Sequence, residues 1–457
     1  MSTKRFRHIA TALAATALTF AAAGCDDFFS KTGDDMEIAA DRLFSDDGAF
    51  RSVVTDAYIQ LRSPHLYGGT LTLTLLEPLA GSFDAFDAAT GTADSPERAV
   101  KLDSVRLYAH RVIATCNEVV KAATDARMTN AEVRMAVGEA YALRAAVRFD
   151  LIRLADRMGI MSDGTGASVL ESVESDLRRA AALLEGVDPL LSESQTTVAV
   201  GRQDRRLRTH AMNWYAVKAV QARVALWRGD YSAALAEADS VLLHHERVSQ
   251  RNQVFYFVQP GKFGSDFCFS REFVFAIATR PDGFPALSDS LFLGLGVKCT
   301  RSLRSIYADP ADIRYRAWFR PAADGDGYSM ARKFGSETLL SGYVVSTTGG
   351  EMQLPASIPF IKLGEVVLTA AEALCRLGRV DEALERVETL EQQRDCPSYA
   401  TSLRENGVIS AESVGSLIAD EYERELFGEG QLYYRKEPNA QHLTPNTQHP
   451  NDAVPIP

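Results

Sequence analysis

Residues 222–235 read ARVALWRGDYSAAL, and residues 371–384 read AEALCRLGRVDEAL. Setting Gly229 against Gly378 places Ala222 on Ala371, Ala234 on Ala383 and Leu235 on Leu384. Each stretch is a helix ending at glycine, a short turn, and a second helix that opens on small residues. Alanines let two antiparallel backbones approach closely, and glycine makes the turn. This is the tetratricopeptide pattern. The copies lie 149 positions apart, so they are not a simple tandem array. The expectation is a mainly α fold: a tetratricopeptide-like solenoid of helical pairs with an irregular, loop-rich insertion containing short β-strands.

The flanking sequence extends the helical reading. Ser45-Asp46-Asp47 can cap a helix carried by Phe50, Val53, Val54, Ala57, Tyr58 and Leu61. Apolar residues at helical spacing predict helices over about 95–123, 129–158 and 167–184, with Gly159 just past the second, and helix returns over 401–436. Residues 68–99, with Gly68-Gly69, Gly81, Gly91 and Pro96, read as loop, and 187–206 as a polar link. Trp214 and Trp227 fall on helical stripes and read as core.

Between the two copies, residues 247–358 change character. Short β-type runs (254–258, 273–278, 343–346) alternate with glycine-rich turns. Asp324-Gly325-Asp326-Gly327 has the start of a calcium loop but lacks the closing glutamate, so a plain turn is favoured. Arg314-Tyr315-Arg316-Ala317-Trp318-Phe319-Arg320 mixes aromatics and arginines. That composition suits a ligand surface, because sugar rings present apolar C–H faces to aromatics, and it equally suits a contact between lobes.

The start of the chain is a separate unit. Lys4, Arg5 and Arg7 precede an apolar run over 9–23, which ends in Ala22-Ala23-Gly24-Cys25. Charged, then apolar, then small is a secretory signal. The run is too short for a membrane span, which needs about 20 apolar residues. The terminal cysteine is the pattern of a bacterial lipobox, making Cys25 the expected lipidation site and 26–35 an acidic tether. An ordinary cleaved signal with a chance cysteine is the plainer alternative.

Removing residues 1–24 takes the net charge from −11 to −14. An acidic chain without a basic block is a poor partner for nucleic acid. Five cysteines remain without metal-ligand spacing; Cys116 and Cys375 read as buried, while Cys268 and Cys299 could pair. There is no GxSxG, Walker loop or HExxH, so no catalytic residue, cofactor or metal site is expected. His244-His245 reads as a solvated helix end. Glu365 and Glu372 share a helix face, but a hydrolase needs two acids converging in a cleft.

Several boxes together resemble the SusD/RagB family. Gly138-Glu139-Ala140, Leu143-Arg144-Ala145 and Phe149-Asp150-Leu151-Ile152-Arg153-Leu154 are similar to one family helix, and Leu107-Tyr108, Ile113 and Asn117 to the helix before it. Glu272 to Ala276 resembles its E-x-I-F strand, and Asp312 with Arg314 its D-x-R element. Ile361-Lys362-Leu363-Gly364-Glu365-Val366 with Ala371-Glu372-Ala373 resembles the next helix, Glu423-Arg424-Glu425-Leu426 with Glu429-Gly430 the closing box, and Pro455-Ile456-Pro457 the terminal element. The chain departs at Gln431 and at Tyr434-Arg435-Lys436-Glu437, lacks a tryptophan before the Leu107-Tyr108 helix, and stops where the family usually continues.

The resemblance implies a non-enzymatic lipoprotein on the surface of the outer membrane. It would capture a glycan, or in some members a peptide, and pass it to a SusC-like TonB-dependent β-barrel transporter. No binding residue carries over from the family. The candidates read from this chain are Phe83, Asp84, Phe86 and Asp87 in one loop and Tyr315, Trp318, Arg320 and Tyr328 in the insertion, with local packing as the plainer reading of each. The expected parts are a signal (1–24), a lipidated tether (25–40), an N-terminal helical lobe (41–246), the insertion (247–358) and a C-terminal helical part (359–457). A helical scaffold that binds only proteins is the first competing function, and a glycosidase the second.

Overall fold

The computed structural model describes residues 43–83, 96–159, 165–191, 205–247, 256–299, 303–322, 325, 327–338, 344–347, 350–353 and 356–435. Cys25, the 26–35 tether, Asp84, Phe86, Asp87, Asp324, Asp326 and the segment after 435 lie outside the described residues, as do the side chains of His244 and His245.

Ten helices carry the frame: α1 (Gly48–Leu61), α2 (Pro96–Ala122), α3 (Ala131–Arg157), α4 (Thr165–Leu184), α5 (Trp214–Arg228), α6 (Tyr231–Arg247), α7 (Leu363–Arg376), α8 (Val380–Gln393), α9 (Ser398–Glu405) and α10 (Ala411–Leu426). The repeated glycines act as the pattern requires. Gly229 and Gly378 adopt φ of 83° and 76° between the helices of each pair. Asn130 caps α3, its side chain accepting from Glu132 N at 2.8 Å, and Gly159 follows that helix at φ 65°.

Helices α2 to α6 pack each on the next, and α7 then packs on α6 as the next helix in line. The chain therefore leaves the stack after α6 and re-enters it at α7. Arg386 of α8 reaches Asp239 of α6 at 2.9 Å across this seam. The 149-residue spacing of the two copies is thus an excursion between neighbouring repeats.

The excursion begins and ends on one antiparallel pair. Strand β1 (Phe273–Ala278) is bonded to β6 (Ser357–Lys362), which runs directly into α7. Both are buried nearly throughout; β1 is apolar along its length, and β6 is apolar between Ser357 and Lys362. Between them lie two small hairpins, β2 (Arg320–Pro321) with β3 (Tyr328–Ser329) and β4 (Val344–Thr347) with β5 (Gly350–Gln353). Gly325 and Gly327, at φ 77° and 81°, shape the first hairpin's turn, and Ala322 N donates to Gly327 O at 3.0 Å. The described part of 324–327 is thus a turn, as its chemistry favours.

Four expectations need correction. Residues 70–80 are helical rather than loop, with a π-helical stretch Thr70–Leu76 followed by a turn of α-helix, Glu77–Ala80. Its alternating Thr-Leu sequence disguises the helix, whose Leu71, Leu73, Leu75 and Leu76 are buried. The helix expected over 401–436 is broken after α9 by Gly407 and after α10 by the turn with Gly428 and Gly430, all at positive φ. Residues 256–258 form no strand. Cys268 and Cys299 form no disulfide with each other; Cys268 donates instead to Asp266 Oδ1 at 3.4 Å.

Glycine inside α10 gives a simple stability prediction. A Cβ on Gly415 would meet nothing closer than Cys375 Sγ at 4.0 Å. Gly415→Ala should therefore stabilise the fold by about 0.5–1 kcal/mol through helix propensity. The check is a higher urea midpoint with an unchanged slope.

Candidate functional site

The residues of the family-like boxes converge, but on the interior. Arg394 at the end of α8 bonds Glu272 at 2.7 and 2.6 Å and Glu425 at 2.9 and 2.6 Å. Arg314 bonds Asp312 at 2.7 Å and Glu421 at 2.8 Å, and lies 3.2 Å from Glu425. Lys362 and Lys333 share Glu429 at 2.6 and 2.8 Å, and Arg424 holds Glu421 at 2.6 Å. Five cations thus face five carboxylates, all with side chains at most 5% exposed.

Burial alone would raise the Glu425 carboxyl, but Arg394, Lys362 and Arg314 overcome it and hold it well below the usual range. Burial likewise works against Glu421, and Arg314 with Arg424 reverses it. Lys333 is pushed down to about 8 by burial, against the opposing pull of Glu429. The network binds the insertion to α8 and α10. It is architecture, with no open position for a ligand.

The same holds in the N-terminal lobe. Glu139 of α3 is fully buried between Arg51 at 2.8 Å and Arg208 at 2.5 Å and accepts from Tyr58 Oη. Arg144 forks onto Asp176 at 2.7 Å and reaches Asn117 at 2.7 Å. Glu365 takes a two-point bond from Arg223 at 2.7 Å, and Glu372 pairs with Arg435. The two acids considered for hydrolysis are therefore each occupied by an arginine.

The sequence-predicted ligand residues divide. Trp318 is fully buried, stacked beneath Lys333 Nζ at 3.5 Å from its ring centre and packed on Phe269. Of its two readings, the lobe contact is the one realised. Phe83 is also buried, its ring against Phe292 and Phe427. As ligand contacts both are corrected: an aromatic sealed on its faces by protein has none left for a sugar.

Tyr315 and Tyr328 are half-buried, with rings 5.9 Å apart and hydroxyls 3.0 Å apart. Arg320 beside them bonds Glu337 at 2.5 Å, and Arg316 is exposed. Phe83 forms an isolated β-bridge to Cys299, whose N–H donates to Tyr328 O at 2.9 Å. Two stretches more than 200 positions apart in sequence thus meet at one edge. Residues 290–299 complete it. Leu293 and Leu295 are 46% and 68% exposed, and Lys298 passes 3.7 Å from where a Gly327 Cβ would be. The sequence reading missed these leucines; the run Leu291-Phe292-Leu293-Gly294-Leu295-Gly296, apolar yet punctuated by glycine, was the available signal.

Among the described residues, no His, Cys, Asp or Glu cluster could hold a metal ion, and no helix is long and apolar enough to cross a membrane.

No curated protein sequence matches this chain. The profile of the SusD family matches residues 323–434, about a quarter of the chain, spanning β3, the 357–376 strand–helix unit and the closing box. Over that stretch the chain resembles the SusD family. Solved structures share its fold along most of its length. A SusD-like carbohydrate-binding protein from Bacteroides vulgatus is 18% identical, covering 84% of this chain and 82% of its own, with a TM-score of 0.58. A SusD superfamily protein from Bacteroides thetaiotaomicron is 17% identical over 85% and 88%, with a TM-score of 0.63. A SusD homolog from the same organism is 13% identical over 89% and 88%, also at 0.63.

Proposed function

We propose that this chain is a SusD/RagB-type protein: a lipid-anchored, glycan-binding protein of the cell outer membrane. It captures an oligosaccharide at the edge formed by Tyr315, Tyr328, Arg320 and Leu293–Lys298, and delivers it to a SusC-like, TonB-dependent barrel as a lid. The carrying observation is that edge: half-buried tyrosine rings and exposed leucines beside hydrogen-bonding groups, which is the pairing a sugar ring requires. Arg320 is neutralised by Glu337, which favours an uncharged ligand over a polyanion.

A scaffold that binds only proteins is the weaker reading. Helix α7 is buried along nearly its whole length, and Arg223 of α5 donates to Phe360 O of β6 at 2.9 Å. Its neighbours α6, α8 and α10 thus already occupy the faces of α7 that a free repeat array would offer to a peptide.

Titration calorimetry against neutral oligosaccharides and peptides tests the reading. Tyr315→Ala and Tyr328→Ala should each weaken binding about tenfold, the usual cost of removing an aromatic anchor. Binding unaffected by both would sink the assignment of this edge. For the anchor, Cys25→Ala should move the protein from the membrane to the soluble fraction, since stable attachment takes two or more acyl chains; retention would count against lipidation.

A further inference from the structure

The helical turn Glu77–Ala80 carries a carboxylate with no exposure to solvent. Its partners come from the other end of the chain: Gly430 N donates to Glu77 Oε1 at 2.5 Å and Gly428 N to Oε2 at 3.1 Å. The Ser82 hydroxyl is a third donor. Gly428 and Gly430 both hold positive φ, and a Cβ on Gly428 would lie 2.5 Å from Met330 Sδ. The turn cannot shift towards the insertion, and Lys333, from the same stretch as Met330, holds it through Phe427 O at 2.7 Å. Phe427 is the hub. Its ring packs edge-on against Phe83 at 5.8 Å and Phe319 at 5.2 Å, and Phe319 in turn packs on Tyr315.

We infer that Glu77 is a positioning residue for the ligand edge: its ionised carboxylate ties down the Phe427–Gly430 turn, and the Phe427 ring thereby fixes both stretches that build the edge. The inference rests on the proposed ligand edge only for its consequence; the latch itself is independent of any ligand.

All the groups that touch this carboxylate are donors, so its acceptor-only ionised form satisfies them best. Protonation turns one oxygen into a donor facing a backbone N–H. Burial pushes Glu77 up to about 7, placing that change in the neutral range. The charged groups around it are few. Lys333 favours ionisation but is committed to Glu429; Arg435, on the adjoining turn Leu432–Arg435, is held by Glu372; and Arg153, bonded to Gln431 at 3.2 Å, is paired with Asp150. The stretch 70–76 contributes no charge.

Two readouts then move in opposite directions. An acid whose folded pKa is raised contributes stability at low pH that is lost as pH rises from about 4.5 to about 7. Local opening of the turn, however, strips Glu77 of its two backbone donors while leaving it buried, which raises its pKa further, so the turn loosens as pH falls through the same range. Hydrogen exchange by mass spectrometry on the full chain, corrected for intrinsic rates, separates the two. Protection of the 427–431 amides should fall about tenfold between about pH 8 and about pH 5.5, while α7 stays constant. Glu77→Gln, which cannot ionise, should give low and pH-independent protection there. Wild-type protection that ignores pH, or a folded Glu77→Gln protein matching the wild type at high pH, would overturn the latch. If Glu77→Gln fails to fold, the wild-type pH series decides alone. Wild-type protein that shows the latch yet binds no oligosaccharide in calorimetry would refute the ligand edge and leave the latch standing.

Discussion

Arg394→Ala should cost about 3–5 kcal/mol, a third or more of the stability of an ordinary domain. Arg394 is fully buried and divides its guanidinium between Glu272, at the start of β1, and Glu425, near the end of α10. Removing it leaves two carboxylates without solvent and without their main partner. Lysine would not rescue the site, because a single ammonium cannot fork onto two carboxylates at once. An exposed pair sets the contrast: breaking Arg228–Glu174 should cost under about 1 kcal/mol, since water screens it. Urea denaturation followed by tryptophan fluorescence measures both.

The pH dependence of the Arg394 loss identifies its cause. In the wild type, Glu425 has a depressed pKa, so its contribution is present above the unfolded carboxylate value and is lost as pH falls through the lower folded one. In the variant, burial without Arg394 raises Glu425, and its protonation then favours the fold. The gap between the two proteins should narrow as pH falls from about 7 towards about 4.5. A gap of constant size would mean that lost packing, not uncompensated charge, is responsible.

Gly364→Ala should be destabilising by about 3 kcal/mol, despite placing a better helix former in the first turn of α7. A Cβ there would lie 2.2 Å from Glu425 Oε1 and 2.5 Å from its Cδ. An ordinary glutamate would swing aside. This one is clamped by Arg394 and Lys362, so the clash must be relieved by moving a helix or breaking the ion network. The expected result is opposite in sign to Gly415→Ala, where the space is open. Equal midpoints for the two alanine variants would show that the network yields more easily than its contacts imply.

Local pattern made much of the frame legible. Helices expected over 95–123 and 129–158 occur as 96–122 and 131–157, because apolar spacing, Asn130 and Gly159 are all local signals. The stretch 70–80 reads as loop because Gly68-Gly69 and Gly81 bracket it, and only its packing against Val105 and the closing turn makes it helical. Composition singled out Tyr315, Arg320 and Tyr328 for the proposed ligand edge, but not the burial of Phe83 and Trp318. Composition does not say which side of an aromatic another chain segment will cover.

The order of the helices, the glycine turns, the repeated pair and the family boxes were all determined by the sequence alone, since each depends on residues within a few turns of one another. What the boxes do was decided only by tertiary structure. Glu272 and Arg394 are 122 positions apart, and Arg314 and Glu425 are 111. In sequence such residues look like solvated charges. Folding removes their water, and a charge without water must find a partner wherever the chain brings one.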